Sequence, residues 1–258
     1  MAESRIALVT GANQGVGYQV VKALVASGAT VYLGSRDLAR GEAAAAEIGG
    51  IPIQLDITDA ASIAAAADRI RAEEGRLDLL VNNAGISNTR RAAASAEQLA
   101  DPNFFEEYAR SGRASIASLD EMRAVWDVNV FGTLAVYQAM LPLLRDGVDA
   151  RIVNVSSGVG SLSANADPNY PYHSMFGVIY PASKAAENAV TLAIMVELED
   201  TDIKVNLVSP AFTATNLNNF AGTETVEDGS REVIRVALLG PDGPSGTFTR
   251  WENTTIPW

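Results

Sequence analysis

Tyr180 and Lys184 are the residues whose types and spacing are best suited to chemistry, and both belong to the run Tyr-Pro-Ala-Ser-Lys. Residues four apart on a helix share one face, so the two side chains reach into the same space. A nearby ammonium favours the phenolate, and one unit of pKa lowering is worth about 1.4 kcal/mol between the protonation states. Such a tyrosine can act as general acid toward a carbonyl oxygen while hydride arrives at the carbon. Tyr-x-x-x-Lys also occurs by chance on surface helices, so other motifs must support it.

A second candidate site lies near the N-terminus, where a strand-like run ends in Thr10-Gly11-Ala12-Asn13-Gln14-Gly15-Val16-Gly17. These glycines leave room for a pyrophosphate to approach backbone N–H groups at the start of a helix. Their spacing is Gly-x-x-x-Gly-x-Gly, not the commoner Gly-x-Gly-x-x-Gly. A tight strand-to-helix connection also uses such glycines, but the apolar strand before them and the amphipathic helix after them favour a dinucleotide site.

The end of the second strand-like run bears on the type of cofactor. NAD sites usually place an acid here, which hydrogen-bonds the adenosine ribose and repels a 2′-phosphate. In this sequence Ser35 stands about where the acid is expected, and Arg36 follows with a guanidinium suited to phosphate. We therefore expect NADP(H) to be preferred over NAD(H). The alternative is a solvent-facing Arg36 paired with Asp37, and Gln14 adds no second positive charge to the glycine loop.

The elements that must position these residues alternate regularly along the chain. Strand-like runs are Arg5–Val9, Thr30–Gly34, Ile51–Leu55, Leu77–Val81, Arg151–Val155 and Lys204–Val208, and helical stretches are Gly17–Ser27, Leu38–Ile48, Ala60–Glu74, Leu119–Leu144 and Ala182–Glu199. Apolar strands separated by single helices indicate a parallel sheet covered on both faces. We predict an α/β fold: one Rossmann-type, doubly wound domain over residues 1–258, with about seven strands. Gly28 and Gly75 stand where helix C-caps belong.

Two polar segments interrupt this alternation, near residues 87–118 and 161–178. Long loops in compact domains are usually functional lids or disordered segments. The second segment leads directly to Tyr180, so we expect it to act as a lid, and we expect both segments to shape the substrate pocket.

Composition excludes several kinds of partner and site. Hydrophobic residues make up 48% of 258, enough for one large domain, and no stretch reaches the uninterrupted apolar length of a membrane span. The sequence has no cysteine and one histidine, His173, which argues against a metal site, a cysteine nucleophile or a Ser-His-Asp triad. The net charge of −12 argues against nucleic acid or an acidic membrane as partner. A strand begins almost at once, without room for a signal peptide. We expect a cytoplasmic protein that acts on a small molecule.

Five motifs together resemble the short-chain dehydrogenase/reductase family: Thr10–Gly17, Asn82-Asn83-Ala84-Gly85, Asn129, Ser156-Ser157 and Tyr180-x-x-x-Lys184. Their order and separations match the family over nearly the whole chain. Within the family, the chain resembles the carbonyl-reductase-like branch at Asn13-Gln14-Gly15, in the runs 35–41 and 242–248, and in the polar excursion after Gly85. The resemblance implies an NADP(H)-dependent oxidoreductase that interconverts a ketone or aldehyde and an alcohol.

The resemblance also implies roles for single residues. Tyr180 would donate the proton, Lys184 would lower its pKa and bind the nicotinamide ribose, and Asn129 would hold a water that links Lys184 to solvent. Ser157 would hold the substrate carbonyl, since residues alternate across a strand and the second serine of such a pair normally faces the site. The cofactor would contact Gly11, Asn13, Gln14, Gly15, Val16, Gly17, Ser35, Arg36, Asp56, Ile57, Asn83, Ala84, Gly85, Tyr180, Lys184, Pro210, Phe212, Thr213 and Thr215.

The sequence departs from the family pattern in three places. Tyr180 follows Ser157 at a greater separation than in compact members, so the intervening loop is enlarged. Ala211 replaces the usual glycine after Pro210, and the C-terminal part is short. The enlarged loop is expected to line the pocket with Tyr170, Tyr172, His173, Met175 and Phe176, although His173 also fits a plain loop histidine.

Other functions remain open from the sequence alone. Trp251 and Trp258 are expected to anchor the C-terminal tail on the core or on a neighbouring subunit, which leaves a homo-oligomer open. One alternative function is a catalytically silent dinucleotide-binding or regulatory protein on the same scaffold. Loss of Tyr180 or Lys184 would favour such a silent protein, but both residues are present. The other alternative is an NAD-dependent alcohol dehydrogenase.

Overall fold

The computed structural model describes residues 4–89 and 110–258, and within these residues one sheet of eight strands forms the centre of the protein. The strands are β1 Ile6–Val9, β2 Thr30–Ser35, β3 Ile51–Gln54, β4 Leu79–Asn82, β5 Arg151–Val155, β6 Lys204–Val208, β7 Phe248–Arg250 and β8 Thr254–Thr255. Their order is β3-β2-β1-β4-β5-β6-β7-β8, and all neighbours are parallel except β7 and β8. The predicted doubly wound parallel sheet is confirmed. The strand beyond the expected seven is a two-residue antiparallel edge strand, too short to show a sequence pattern.

Helices cover both faces of this sheet, as predicted. The helices of the described residues are α1 Gly15–Ala26, α2 Leu38–Ile48, α3 Ala60–Glu74, α4 Leu119–Trp126, α5 Thr133–Arg145, α6 Leu162–Asn165, α7 Tyr180–Glu197, α8 Val226–Gly229 and α9 Arg231–Ala237. Side chains of α3, α5 and α7 pack on one face. Those of α1, α2 and α9 pack on the other. Along β1, Leu8 belongs to the first core and Val9 to the second, because successive residues of a strand point to opposite faces.

Local capping explains why α2 and α3 have the bounds predicted from the sequence. The Asp37 carboxylate accepts the Arg40 N–H at 3.2 Å, and the Asp59 carboxylate accepts the Ala61 N–H at 2.9 Å. Such caps satisfy N–H groups that the first helical turn leaves unpaired. Gly75 ends α3 in the left-handed conformation, with φ 75°. Helix α1 instead ends at Ala26, and Gly28 lies just beyond it.

The stretch predicted as one helix over Leu119–Leu144 is interrupted. A π-helical turn, Asp127–Gly132, joins α4 to α5. Gly132 lies against the loop after β3, where a Cβ would come within 2.9 Å of Ile57. In the described part of the chain, Leu119–Arg145 is the one helical stretch long and apolar enough to cross a membrane, and half of its apolar window is buried in the fold. A core helix meets the same criteria.

The loop between β5 and α7 is held by the C-terminal tail. The Ser161 hydroxyl donates to the Pro257 carbonyl, and the Ser163 N–H donates to the Trp258 carbonyl at 3.0 Å. The Trp258 ring packs edge-on against Phe248, with centroids 6.0 Å apart, so this tryptophan anchors the tail on its own chain. Of the other predicted excursion, residues 90–109 lie outside the described residues.

Candidate active site

The candidate residues meet at the carboxyl ends of the central strands. The glycine loop follows β1, residues 83–85 follow β4, Ser156 and Ser157 follow β5, and the 210–215 loop follows β6. Strand order reverses between β1 and β4, because β2 lies on one side of β1 and β4 on the other. In open α/β sheets ligands bind outside the carboxyl ends of the strands at such a reversal.

Tyr180 and Lys184 lie side by side in the first turn and a half of α7. The Lys184 Nζ atom is 6.0 Å from the centroid of the Tyr180 ring and donates to the Val155 carbonyl at 2.9 Å. Lys184 is 4% exposed, whereas Tyr180 is half-buried. The two side chains of the predicted pair therefore lie close together, and the ammonium is hydrogen-bonded to the end of β5.

The Tyr180 phenol has its pKa raised above the ordinary value for tyrosine. Burial is the largest cause, and the charge of Glu187 acts in the same direction. The Lys184 ammonium and the Ser157 hydroxyl lower the pKa but do not outweigh these effects. The lowering expected from Lys184 is thus present as one contribution. The sequence analysis did not anticipate the Glu187 carboxylate, which raises the Tyr180 pKa.

The two serines after β5 have different surroundings. Ser156 is 2% exposed, and its hydroxyl donates to the Asn188 Oδ1 atom at 2.5 Å. Ser157 is half-buried, and its hydroxyl lies close enough to Tyr180 to influence the phenol. Ser157 therefore faces the same space as Tyr180, while Ser156 points into the fold.

Asn129 lies in the π-helical turn and is fully buried. Its side-chain amide donates to the Ile86 carbonyl at 2.8 Å and to the Ser183 hydroxyl at 2.9 Å, and its Oδ1 atom accepts the Ile86 N–H at 2.9 Å. A Cβ at Gly85 would lie 3.3 Å from Asn129 Oδ1 and 3.5 Å from Lys184 Nζ. The amide therefore ties the loop after β4 to α7, next to the ammonium.

The glycine loop and the loop after β4 pack closely together. The Asn83 amide donates to the carbonyls of Thr10 and Gly11 at 2.9 and 3.1 Å. Gly11 has φ 60°, and a Cβ there would lie 2.8 Å from the Cα atom of Ala84. A Cβ at Gly17 would collide with the Asn83 amide. Glycine is required at both positions by conformation or by close contact.

The start of α1 is suited to a phosphate. Gln14 is the N-cap residue, and its side chain makes no capping hydrogen bond to the helix. The first N–H groups of a helix need a partner and carry partial positive charge. Asn13, Gly15 and Val16 are only partly buried at this end. The loop thus fits the pyrophosphate of a dinucleotide.

Of the residues predicted to contact the adenosine half of the cofactor, some have buried side chains and others have exposed ones. Ser35 is 1% exposed, and its hydroxyl donates to the Asp37 carbonyl at 2.7 Å, so this side chain supports the start of α2. Arg36 is exposed. Burial opposes ionisation of Asp56, but hydrogen bonds from Thr58 and the charge of Arg36 hold its pKa below the ordinary value. Ile57, next to Asp56, is 7% exposed and packs against Gly132.

The loop after β6 lies across the glycine loop. The Asn216 amide donates to the Gln14 Oε1 atom at 2.9 Å, and a Cβ at Gly15 would lie 3.6 Å from the Thr215 methyl. Pro210 is partly buried and Phe212 is exposed. Thr213 is buried, and its hydroxyl donates to the Ala211 carbonyl at 2.7 Å. Thr215 is therefore placed beside the candidate phosphate site, whereas the Thr213 hydroxyl is turned inward.

The enlarged loop and the C-terminal tail both approach the turn after Ser157. A Cβ at Gly158 would lie 3.7 Å from the Tyr170 hydroxyl and 3.9 Å from the Ile256 side chain. Burial raises the pKa of Tyr170, and its ring packs edge-on against Tyr172. His173 is exposed, and its ring Nδ1 lies 2.8 Å from the Asn165 carbonyl, as for a plain loop histidine. Ile256 was missed by the sequence analysis, because its place depends on the path of the tail.

Glu187 is the functional candidate that the sequence analysis missed. It is 1% exposed, and its Oε2 atom lies 2.7 Å from the Lys184 Nζ atom. Burial raises the pKa of Glu187, which Lys184 partly offsets. Burial alone would lower the pKa of Lys184, but Glu187 and Tyr180 reverse this, and the pKa lies above its ordinary value. The signal was present in the sequence: residues three apart share a helix face.

Comparisons with known proteins agree with this fold and site. The family model described as short chain dehydrogenase matches residues 5–225. "Short-chain dehydrogenase anuI" from Penicillium roqueforti is 33% identical over 97% of this chain and 96% of its own, and salutaridine reductase from Papaver bracteatum is 30% identical over 96% and 94%. The chain belongs to the short-chain dehydrogenase/reductase family and is an oxidoreductase of that family.

Solved structures extend the comparison to the cofactor. Salutaridine reductase from Papaver somniferum has a TM-score of 0.77 at 28% identity, over 95% of this chain and 99% of that one. Carbonyl reductase from chicken fatty liver, with bound NADPH, has a TM-score of 0.75 at 26% identity, over 99% and 100%. A 3-ketoacyl-(acyl-carrier-protein) reductase from Brucella melitensis, complexed with NADH, shares the fold with a TM-score of 0.74 at 23% identity, over 96% and 97%. Of these three structures, one contains NADPH and another NADH.

Proposed function

We propose that this protein is an NADP(H)-dependent oxidoreductase that interconverts a ketone or aldehyde and the corresponding alcohol. The observation that carries the proposal is the cluster of the Tyr180 phenol, the Lys184 ammonium and the Ser157 hydroxyl at the carboxyl end of β5. The names of the salutaridine and carbonyl reductases, which are 26 to 30% identical to this chain, support a carbonyl substrate. The test is turnover of a panel of ketones and alcohols, followed by the absorbance of reduced nicotinamide.

The residues around the glycine loop supply a fitting site for the cofactor. Gly11 and Gly17 let the glycine loop pack closely against Ala84 and Asn83, and α1 offers uncapped N–H groups to the pyrophosphate. A bound reduced nicotinamide supplies the hydride that the carbonyl carbon receives. The other cofactor contacts stay predictions: Asn13, Gln14, Gly15, Val16, Ser35, Arg36, Asp56, Ile57, Asn83, Ala84, Gly85, Pro210, Phe212, Thr213 and Thr215. Of these, the Ser35 and Thr213 hydroxyls bond to carbonyls of their own loops.

Residues of this chain then donate the proton to the substrate and restore it. In reduction, Ser157 donates a hydrogen bond to the carbonyl oxygen, where negative charge develops. Tyr180 gives its proton to that oxygen, and the Lys184 ammonium stabilises the phenolate left behind. Asn129 lies beside Lys184, where a water could connect the ammonium to solvent and restore the proton. In oxidation the same phenolate accepts the proton of the alcohol.

Ser157→Ala should reduce kcat by about 100-fold or more, because a donor to the developing oxyanion is lost. Ser156→Ala is the matched control, since it removes the adjacent hydroxyl and its buried bond to Asn188. We expect that control to lower the free energy of unfolding and to leave kcat comparatively high. Steady-state kinetics and urea unfolding of both variants provide the check. A larger kcat loss in the control would show that Ser156 holds the substrate.

Arg36→Ala should raise the KM for NADPH by about 10- to 150-fold relative to the KM for NADH, because a charge-assisted bond to phosphate is worth roughly 1.5–3 kcal/mol. Arg71→Ala, which removes an exposed arginine from α3, is the control and should change neither value. Kinetics with both cofactors give the ratio. Equal losses with the two cofactors would exclude the phosphate contact and favour the NAD-dependent alcohol dehydrogenase.

The remaining assignments stay predictions from composition. The net charge of −12 continues to argue against nucleic acid and acidic membranes as partners, and a cytoplasmic location is the corresponding expectation. A homo-oligomer is left open, although Trp258 packs on its own chain.

A further inference from the structure

A buried carboxylate contacts the proposed catalytic lysine. Glu187 follows Lys184 by three residues on α7, and the two side chains are 1% and 4% exposed, with 2.7 Å between Oε2 and Nζ. A buried charge without a partner is strongly disfavoured. The two groups therefore stabilise each other in their charged forms. None of the roles proposed above uses Glu187.

The other groups around this pair do not titrate, apart from the Tyr180 phenol. The Val155 carbonyl of β5 accepts a bond from Lys184 at 2.9 Å, and Gly85 and Asn129 approach the ammonium from the loop after β4 and from the π-helical turn. Among the residues that the structure describes, the titratable groups that act on Lys184 are Glu187 and Tyr180, and the one that acts on Glu187 is Lys184. The pair and Tyr180 thus form one small electrostatic cluster.

We propose that Glu187 is a positioning residue of the active site: it keeps the Lys184 ammonium charged and oriented beside Tyr180, and it sets the pH range in which the Tyr180–Lys184 pair retains its protons. The proposal rests on the proposed function. An ammonium has three donors, of which Val155 and Glu187 occupy two, so one remains for a partner near Tyr180.

The effect on proton release follows from charge alone. A negative charge within a few ångströms makes loss of a proton from its neighbours harder. The Tyr180–Lys184 pair therefore loses its first proton at higher pH with Glu187 than without it, whichever of the two residues releases it. Because reduction needs the protonated phenol, Glu187 extends the reductive reaction to higher pH.

The test is the pH profile of kcat/KM for ketone reduction in Glu187→Gln, which removes the charge and keeps the shape. We expect the alkaline limb to move to lower pH by about one unit. Glu187→Asp keeps the charge and should retain a limb near that of the unaltered protein, with a lower kcat. An unshifted limb in Glu187→Gln, or the same shift in Glu187→Asp, would overturn the proposal.

The chain offers a matched control outside the site. Glu232 on α9 is also 1% exposed and pairs with Arg235 three residues later, at 2.6 Å. Glu232→Gln likewise removes a buried carboxylate from an ion pair three residues apart, here with a partly exposed arginine and without contact with Tyr180 or Lys184. It should lower the free energy of unfolding and leave the pH limb in place, which separates loss of stability from loss of positioning.

A second readout does not depend on turnover. Lys184 is one of three lysines, the others being Lys22 and Lys204, so its Cε resonance in ¹³C-labelled protein can be assigned with a Lys184→Arg variant. We expect this resonance to titrate at lower pH in Glu187→Gln than in the unaltered protein, and an unchanged midpoint would overturn the role of Glu187. Absence of any ketone turnover in the unaltered protein would instead contradict the proposed function, and the resonance would still decide the effect of Glu187 on Lys184.

Discussion

Tyr180→Phe is expected to reduce kcat by about 10²–10⁴-fold, because it removes the proton that general acid catalysis delivers to the carbonyl oxygen. The ring remains, so its packing at the start of α7 changes little. Affinity for NADPH should stay close to that of the unaltered protein, since the glycine loop and the start of α1 are untouched. Single-turnover kinetics and fluorescence titration with NADPH measure the two quantities separately.

The control for this variant is Tyr18→Phe. Tyr18 lies on α1, and its hydroxyl donates to Glu47 on the surface at 2.9 Å, so this change deletes the same atom away from the candidate site. Its kcat should be unaffected. A Tyr180→Phe protein with undiminished kcat would rule out the phenol as the acid. Loss of NADPH binding in Tyr180→Phe would show that the variant disturbs the cofactor site as well.

Lys184→Met is expected to abolish turnover and also to destabilise the protein by about 3–5 kcal/mol at neutral pH, because it leaves the Glu187 carboxylate buried without its partner. The double variant Lys184→Met with Glu187→Leu removes both charges and should recover most of that stability. It should not recover turnover. Urea unfolding monitored by circular dichroism measures the contribution of the pair to stability, and steady-state kinetics measure its contribution to turnover.

The pH dependence of this loss has a definite sign. Burial raises the pKa of Glu187 above the ordinary value in the folded protein, and loss of Lys184 raises it further. A carboxyl group with a raised folded pKa binds more protons in the folded than in the unfolded state, so the stability falls as pH rises through that interval. The Lys184→Met defect should therefore grow as pH rises from the ordinary pKa of glutamate through the raised one, and shrink as pH falls back toward the ordinary value.

Arg235→Met provides the comparison, since it also leaves a buried carboxylate, Glu232, without its ion-pair partner. Arg235 is 31% exposed, so water can reach this pair and the loss of stability should be smaller. A Lys184→Met protein as stable as the Arg235→Met protein would contradict strong coupling between Lys184 and Glu187.

The Tyr180–Lys184 pair could be predicted because its geometry is local. A spacing of four on a helix places both side chains on one face, and α7 begins at Tyr180, two residues before the predicted start at Ala182. The choice of Ser157 over Ser156 rested on an equally local alternation, and the structure turns the two serines in opposite directions. The net direction of the Tyr180 pKa was not predictable, since it depends on burial and on Glu187 as well as on Lys184.

The sequence by itself determined the order of the first six strands and the bounds of α2 and α3, because hydrophobic periodicity, Asp caps and terminal glycines act between residues near each other in the chain. Tertiary structure alone decided the rest. The π-helical turn at Asn129 packs against the loops after β3 and β4, and Ile256 of the tail approaches the turn after Ser157. Whether Glu187 is a surface charge or a buried partner of Lys184 depends on the elements that pack on α7, which include β6, the turn Gly158–Gly160 and the π-helical turn, all brought there by folding.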